Sequence, residues 1–280
     1  TAIIRPISQC LAANEVGEIA GILNGTTNFI LTKMIREHMG FEEALKLAQE
    51  LGYAERDPSA DVEGADACRK ICILASLAFG THVYPEEVHT EGITKITLED
   101  VAYADAWGGV IKLIGHVSML ENGHIAIMVA PMLISRESQL ANVDDVVRGD
   151  ATGDVMFYGK GAGKLPTASA VVADVIDCVK HMKARKYLFW EEARPDYIEP
   201  FESIKGDFFL RIQGDCSSDE TFAKAAEALP GAARIVRREE AKGEAGVTVE
   251  NISEAGIRER LLRLEESGVR VLDRIRISDF

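Results

Sequence analysis

The sequence predicts an α+β protein, with helices packed on a largely antiparallel sheet and a smaller βαββαβ module after it. Three observations carry this. Apolar residues keep a helical period through most of the first hundred positions, and an Asn-Gly pair separates two apolar runs near position 122. Beyond residue 205, strand and helix patterns alternate in the order βαββαβ. At 280 residues the chain suits one large domain or two ordinary ones. The acidic stretch 190–204, which carries Pro195 and Pro200, reads as a linker and divides the chain into 1–204 and 205–280.

In chain order, an apolar strand runs into Asn24-Gly-Thr-Thr-Asn28 and then a helix. Thr27 or Asn28 can cap it; Ile30, Leu31, Met34 and Ile35 keep the 3.6-residue period, and Gly40 ends it. Phe41, Ala44, Leu45, Ala48 and Leu51 make a second stripe, closed by Gly52. A third helix is expected from about 61 to 79. Thr97 and Asp100 have capping-box spacing before Leu98, Val101 and Ala104. Runs 110–120 and 125–130 flank Glu121-Asn122-Gly123-His124 and predict a hairpin, with 154–158 a further strand of the same sheet. Pro166 suits the first turn of a helix running to about 183. The C-terminal module reads as strand 207–213, helix 218–229, strands 233–237 and 246–251, helix 253–267 and strand 269–277, a ferredoxin-like order.

Composition narrows the function classes. Hydrophobic residues at 47% and charged residues at 27% exclude a disordered or collagen-like chain. The longest apolar stretches, 71–79 and 126–134, fall well short of the roughly 20 residues a spanning helix needs. With 45 acidic against 31 basic residues the net charge is −14, which argues against nucleic acid or an anionic membrane as partner and for a cytoplasmic protein. Five scattered cysteines point to a reducing compartment, and Cys68 and Cys72 read as core thiols. No zinc-type spacing occurs, so no metal site is read. The chain opens on Thr1, and Ala2-Ile3-Ile4 reads like interior sequence; a preceding region or a removed tag is expected.

Three clusters could carry chemistry. The densest is the stretch from Glu55 to Lys70, with Glu55, Asp57, Asp61, Glu63 and Asp66 followed by Arg69 and Lys70. Asp66 and Lys70 are one helical turn apart and share a face, while Asp61 sits near a helix start where the backbone dipole favours an anion. Clustered carboxylates suit an ammonium group, a hydroxyl or a divalent metal, and a lysine among them can protonate a developing alkoxide. A charged, solvated helix start with ordinary salt bridges has the same composition. The second cluster, Gly21 to Phe29, places amides and hydroxyls at a helix N-terminus, either a small polar docking place or a plain capped turn. The third, Gly159-Lys-Gly-Ala-Gly-Lys164, lets backbone approach a ligand closely or packs a strand tightly against a helix.

Taken together and in this order, the clusters resemble homoserine dehydrogenase over about residues 3–185. The carrying stretches are Gly21 to Phe29, Ala48 to Glu55 through Asp66 to Lys70, Glu91-Gly-Ile-Thr94, Ile111-Lys-Leu-Ile-Gly115, and Tyr158 to Asp174 with its Gly-x-Gly-Ala-Gly-x-x-Pro-Thr-Ala-Ser-Ala pattern. The resemblance implies interconversion of homoserine and aspartate 4-semialdehyde by hydride transfer with NAD or NADP, on the route to threonine, methionine and isoleucine. It implies that Lys70 is the acid/base group and Asp66 orients it. Glu55 and Asp61 would hold the substrate amino group, and Thr26, Gly52 and Tyr53 would complete the pocket. Gly161, Ala162 and Gly163 would approach the nicotinamide. It further implies a homodimer or homotetramer, and a monovalent cation in the full-length enzyme.

Two departures accompany the resemblance. Members of the family begin with a Rossmann domain carrying G-x-G-x-x-G, which this sequence lacks, so the chain reads as a fragment that is inactive alone. Many members end in an ACT regulatory module, which the βαββαβ order fits; yet Gly214-Asp-Cys-Ser-Ser-Asp219 stands where an Asp-x-Pro-Gly turn is expected. An alternative of another class is an amino-acid-binding regulator without catalysis.

Overall fold

The computed structural model describes residues 15–141, 145–149, 153–156, 164–183, 190–237 and 241–280, together with Ile4. Strand β1 (Val16–Gly21) leads into helices α1 (Gly25–Glu37) and α2 (Phe41–Glu50), a single turn α3 (Ser59–Val62) and the longer α4 (Ala65–Phe79). Next come β2 (His89–Thr90), α5 (Leu98–Trp107), β3 (Gly109–Met119), β4 (Ile125–Ser135), β5 (Asp145–Gly149), β6 (Gly153–Met156) and α6 (Lys164–Lys180). The C-terminal part is β7 (Lys205–Gly214), α7 (Ser218–Ala228), β8 (Ala233–Ile235), β9 (Glu244–Ser253), α8 (Glu254–Glu266) and β10 (Val269–Ser278).

Among the described residues these strands form one ten-stranded sheet, ordered β6-β5-β1-β3-β4-β10-β7-β9-β8, with β2 against β4. The Asn-Gly hairpin forms as expected: β3 and β4 pair antiparallel from Gly109↔Ser135 to Met119↔Ile125, and Gly123 adopts φ +81° in the turn. Two junctions, β2–β4 and β10–β4, are parallel, so the sheet is mixed. The C-terminal strands lie in the order fourth, first, third, second, antiparallel throughout, and β10 joins them to the central sheet. All but the last residue of β4 are buried, as a strand covered on both faces must be.

Helices cover one face. Ile30, Leu31 and Met34 of α1, Ala44 and Ala48 of α2, and Ile71, Leu74 and Ala75 of α4 pack with Ile111, Leu113 and Val129 into the main core. Phe208, Leu210, Ile212, Val247, Ile257 and Leu264 form a second core between the C-terminal strands and helices. On α6, by contrast, Val171, Val172, Val175, Ile176 and Val179 are exposed.

Three expectations change. The cap of α1 is Asn24, whose side chain accepts from the Thr27 amide, and the helix ends at His38 in the left-handed region (φ 53°) before Gly40 is reached. The helix expected from 61 to 79 is two, broken where Gly64 takes φ +84°. Strand β5 was not expected; it is short and lies beside β1.

Charges are buried where the two halves meet. Asp100 of α5 closes its capping box with Thr97 through Oδ2, and its Oδ1 lies 2.7 Å from Arg211 Nε of β7. Asp273 of β10 faces the same cluster. Burial and then the Asp100 charge push its carboxyl up to about 7. A carboxyl bound to its proton more tightly when folded costs stability once that proton leaves, so its penalty grows from about pH 4 through pH 7. Asp273→Asn is therefore expected to raise the thermal midpoint at pH 8 and to leave it nearly unchanged at pH 4. A difference independent of pH would contradict this.

Candidate active site

The site is assembled where β1 gives way to α1 and where α3 gives way to α4. After β1 the chain turns at Leu23-Asn24, and Asn24 is buried with its Oδ1 accepting from the Thr27 amide at 2.9 Å. That leaves the amide nitrogen to face outward. Its two hydrogens go to Asp61 Oδ1 at 2.6 Å and Asp66 Oδ2 at 2.8 Å. Asp66 Oδ2 also accepts from Lys70 Nζ at 2.7 Å, and Lys70 Nζ donates to the Leu23 carbonyl at 2.9 Å. Asn24, Asp61, Asp66 and Lys70 are thus one continuous hydrogen-bonded group drawn from three elements.

Local sequence explains the convergence. Asp66 and Lys70 are one turn apart on α4, so both side chains leave the same face. Gly64 allows the chain to turn sharply between α3 and α4, which brings Asp61 back beside Asp66. Gly115 of β3 has no side chain to obstruct Leu23: a Cβ there would meet Leu23 Cδ1 at 2.8 Å and Ile71 Cβ at 3.3 Å. The close approach seats Leu23, and with it the carbonyl that Lys70 binds, directly on the sheet.

The remaining residues singled out in the sequence fall in two places. Thr26 Oγ1 donates to the Tyr53 carbonyl at 2.8 Å, tying the start of α1 to the turn after α2, where Gly52 takes φ +76°. Tyr53 itself is exposed and stacks on Phe29 with ring centroids 4.7 Å apart. Glu55 lies in the same exposed loop, its carbonyl accepting from Gln49 Nε2. Gly161, Ala162 and Gly163 lie outside the described residues. Asn24 and the Leu23 carbonyl were not singled out individually, although both lie in or beside the Asn-Gly-Thr-Thr stretch; an Asn directly before a helix start is the available signal.

Electrostatically the group is a carboxylate pair held by donors. Two carboxylates sharing one amide repel, and the Lys70 ammonium with the two Asn24 N–H groups offsets that repulsion. About a third of each of the Asp66 and Lys70 side chains is open to solvent, at 33% and 35%, so the pair faces outward. A cleft of about 390 Å³ lies elsewhere, between β3, β4, β10 and the 199–206 segment, and none of the four groups lines it. Among the described residues no three His, Cys, Asp or Glu side chains are placed to hold a metal ion, and no helix is long and apolar enough to cross a membrane. Chemically, the arrangement offers an accessible ammonium beside carboxylates, suited to a ligand that carries both an oxygen to protonate and a cationic group.

The chain is similar in sequence and in fold to proteins already characterised. A family profile described as homoserine dehydrogenase matches residues 3–176. A homoserine dehydrogenase of Synechocystis is 51% identical over 63% of this chain and 43% of its own length. The solved structure of a homoserine dehydrogenase from Thiobacillus denitrificans superposes over 99% of this chain and 67% of that one, with a TM-score of 0.85 at 35% identity. A hyperthermophilic archaeal homoserine dehydrogenase in complex with NADPH superposes over 66% of this chain and 53% of that one, with a TM-score of 0.54 at 31% identity. The chain spans about half the length of the curated relatives it matches.

Removing the amide of Asn24 takes away a helix cap and the donor to Asp61, and leaves Asp66 with Lys70 as its donor. Asn24→Ala is expected to cost about 2 kcal/mol or more, read as a lower urea midpoint at unchanged slope. Asn24→Ser, which can still cap, is expected to recover part of that loss. An Ala variant as stable as the parent would show that the amide does not hold the group together.

Proposed function

The chain belongs to the homoserine dehydrogenase family, and on that premise we propose that it forms the substrate half of an enzyme interconverting L-homoserine and L-aspartate 4-semialdehyde. The observation that carries the proposal is the hydrogen-bonded group of Asn24, Asp61, Asp66 and Lys70. In the direction of reduction the aldehyde oxygen gains negative charge as the carbonyl carbon becomes a carbinol. Lys70 Nζ stands ready to give that oxygen a proton, and in the reverse direction to take it back. Asp66 and the Leu23 carbonyl hold the ammonium by two of its three hydrogens, which leaves the third to point at substrate.

Asp61 and Glu55 supply negative charge for the substrate ammonium, and Thr26, Gly52 and Tyr53 shape the adjacent wall through the bond that joins α1 to the turn after α2. The outward, one-third-open face of the Asp66–Lys70 pair suits a second reactant approaching from solvent. When bound, NAD or NADP would take up or supply the hydride; Gly161, Ala162 and Gly163 are the residues of this chain offered to its nicotinamide end. The relative in complex with NADPH supports this cofactor class. Most of the nucleotide's binding surface falls to chain outside these residues, so the 280 residues alone are expected to be inactive.

The C-terminal strand order supports an ACT-like module for residues 205–280. A homodimer or homotetramer in the cytoplasm is the proposed state of the whole enzyme.

The test is NADPH oxidation driven by aspartate 4-semialdehyde, with a nucleotide-binding domain of the family joined upstream. Turnover is expected in that protein, and Lys70→Ala is expected to lower kcat by about 10²-fold or more without loss of fold. A folded, cofactor-binding protein with no turnover would overturn the proposal.

A further inference from the structure

A short segment connects the C-terminal module to the joint that carries the site. Residues 90–93 run beneath 62–64, the link between α3 with Asp61 and α4 with Asp66 and Lys70. The packing has no slack. A Cβ on Gly92 would stand 2.2 Å from the Val62 carbonyl oxygen and 2.5 Å from Glu63 Cα, and one on Gly64 would meet Thr90 Cγ2 at 3.0 Å and the Glu91 carbonyl at 3.2 Å. The Ile93 amide donates to the Val62 carbonyl at 2.8 Å, and Ile93 is fully buried. On the other side the Glu91 amide donates to Val129 of β4 at 2.7 Å.

The side chain of Glu91 faces away from the site. Its Oε1 is 2.6 Å from His89 Nε2, and Arg274 Nη2 of β10 donates to it at 3.3 Å. Arg274 is itself held by Glu254, a fully buried carboxylate at the start of α8 that Arg276 also binds, at 2.6 Å and 2.9 Å. His89 is stacked on Phe201 with centroids 3.5 Å apart. Burial works against the Glu91 charge, but the His89 hydrogen bond and the two arginines prevail and hold its carboxyl below the usual carboxylate range, so the ion pair is present at neutral pH.

We propose that Glu91 and Arg274 are positioning residues for the substrate site, their ion pair clamping 90–93 beneath 62–64 and so tying the Asp61–Asp66 geometry to the C-terminal module. Neither side chain touches the substrate group. The link acts because the 90–93 backbone is pinned on β4, wedged under Val62 and Glu63, and gripped from the C-terminal side through Glu91. Releasing that grip lets the joint between α3 and α4 shift, which moves Asp61 relative to Asp66. The consequence for homoserine affinity rests on the function proposed above; the mechanical link does not.

Two readouts test it, on the full chain, in Glu91→Gln, Arg274→Met and Arg274→Lys. Amide hydrogen exchange reads the link directly, and calorimetric titration with L-homoserine reads its consequence. In Glu91→Gln and Arg274→Met, exchange at Ile93 and at 62–64 is expected to rise about tenfold, while α1 and α7 keep their protection. Homoserine is expected to bind about 5- to 30-fold more weakly in both. Arg274→Lys, which keeps the charge, is expected to restore most of each effect, and Glu91→Gln, which leaves Glu254 with both of its arginines, separates the link from the general destabilisation that Arg274→Met also brings. Unchanged exchange at Ile93 and 62–64 in folded Glu91→Gln would overturn the proposal. A parent chain that fails to bind homoserine, with exchange still responding to the variants, would count against the proposed function and leave the link standing.

Discussion

The amide of Asn24 is the point on which the site depends. It is buried, it caps α1, and it spends both of its hydrogens on carboxylates from α3 and α4. Without it, two like charges would face each other across a helix break with Lys70 paired to Asp66 alone, a repulsion costly in a partly desolvated setting. With it, the carboxylates have a fixed spacing and Lys70 a fixed direction. A polar group satisfied at each of these bonds orders what would otherwise be three independent helix ends.

The sheet supplies the frame for that point. The central hairpin β3–β4 is buried along nearly its whole length, and the glycine at 115 lets the Leu23 turn and α4 come down onto it. The same hairpin receives β10 in parallel, so the C-terminal module is not hung on a tether but continues the sheet. Where the two halves meet, the contacts are ionic as well as apolar: Asp100 with Arg211, almost wholly shielded from water, and Glu91 with Arg274, half-buried. Such pairs contribute geometry more surely than net stability, since desolvation offsets much of their attraction. Their value here lies in fixing how the C-terminal strands sit on α5 and on the 89–93 segment.

Much of this was legible in the sequence wherever the signal was local. The helical period of Ile30, Leu31 and Met34, the capping box of Thr97 and Asp100, and the Asn-Gly turn at 122–123 each declare their element within a few residues, and each element is there. The spacing of Asp66 and Lys70 foretold their shared face. What escaped was set by distant contacts. Thr26 and Thr27 are buried polar residues in the first turn of α1, so the apolar period begins one turn late and pointed to the wrong cap. The break at Gly64 is one glycine in an otherwise helical pattern; the crowding by Thr90 and Glu91 that accompanies its left-handed turn comes from residues far along the chain. The parallel pairing of Arg276 with Met132 joins strands whose sequences carry no mark of each other. The role of Asn24 carries no local mark for a related reason: its partners at 61 and 66 lie far beyond any local window.

The most direct test of the central claim is a crystal structure of this chain with L-homoserine bound. The ligand hydroxyl is expected within hydrogen-bond distance of Lys70 Nζ and its ammonium between Asp61 and Glu55, with the Asn24 bridge intact. Homoserine bound elsewhere, or bound with its ammonium on the far side of Lys70 from Asp61, would contradict it.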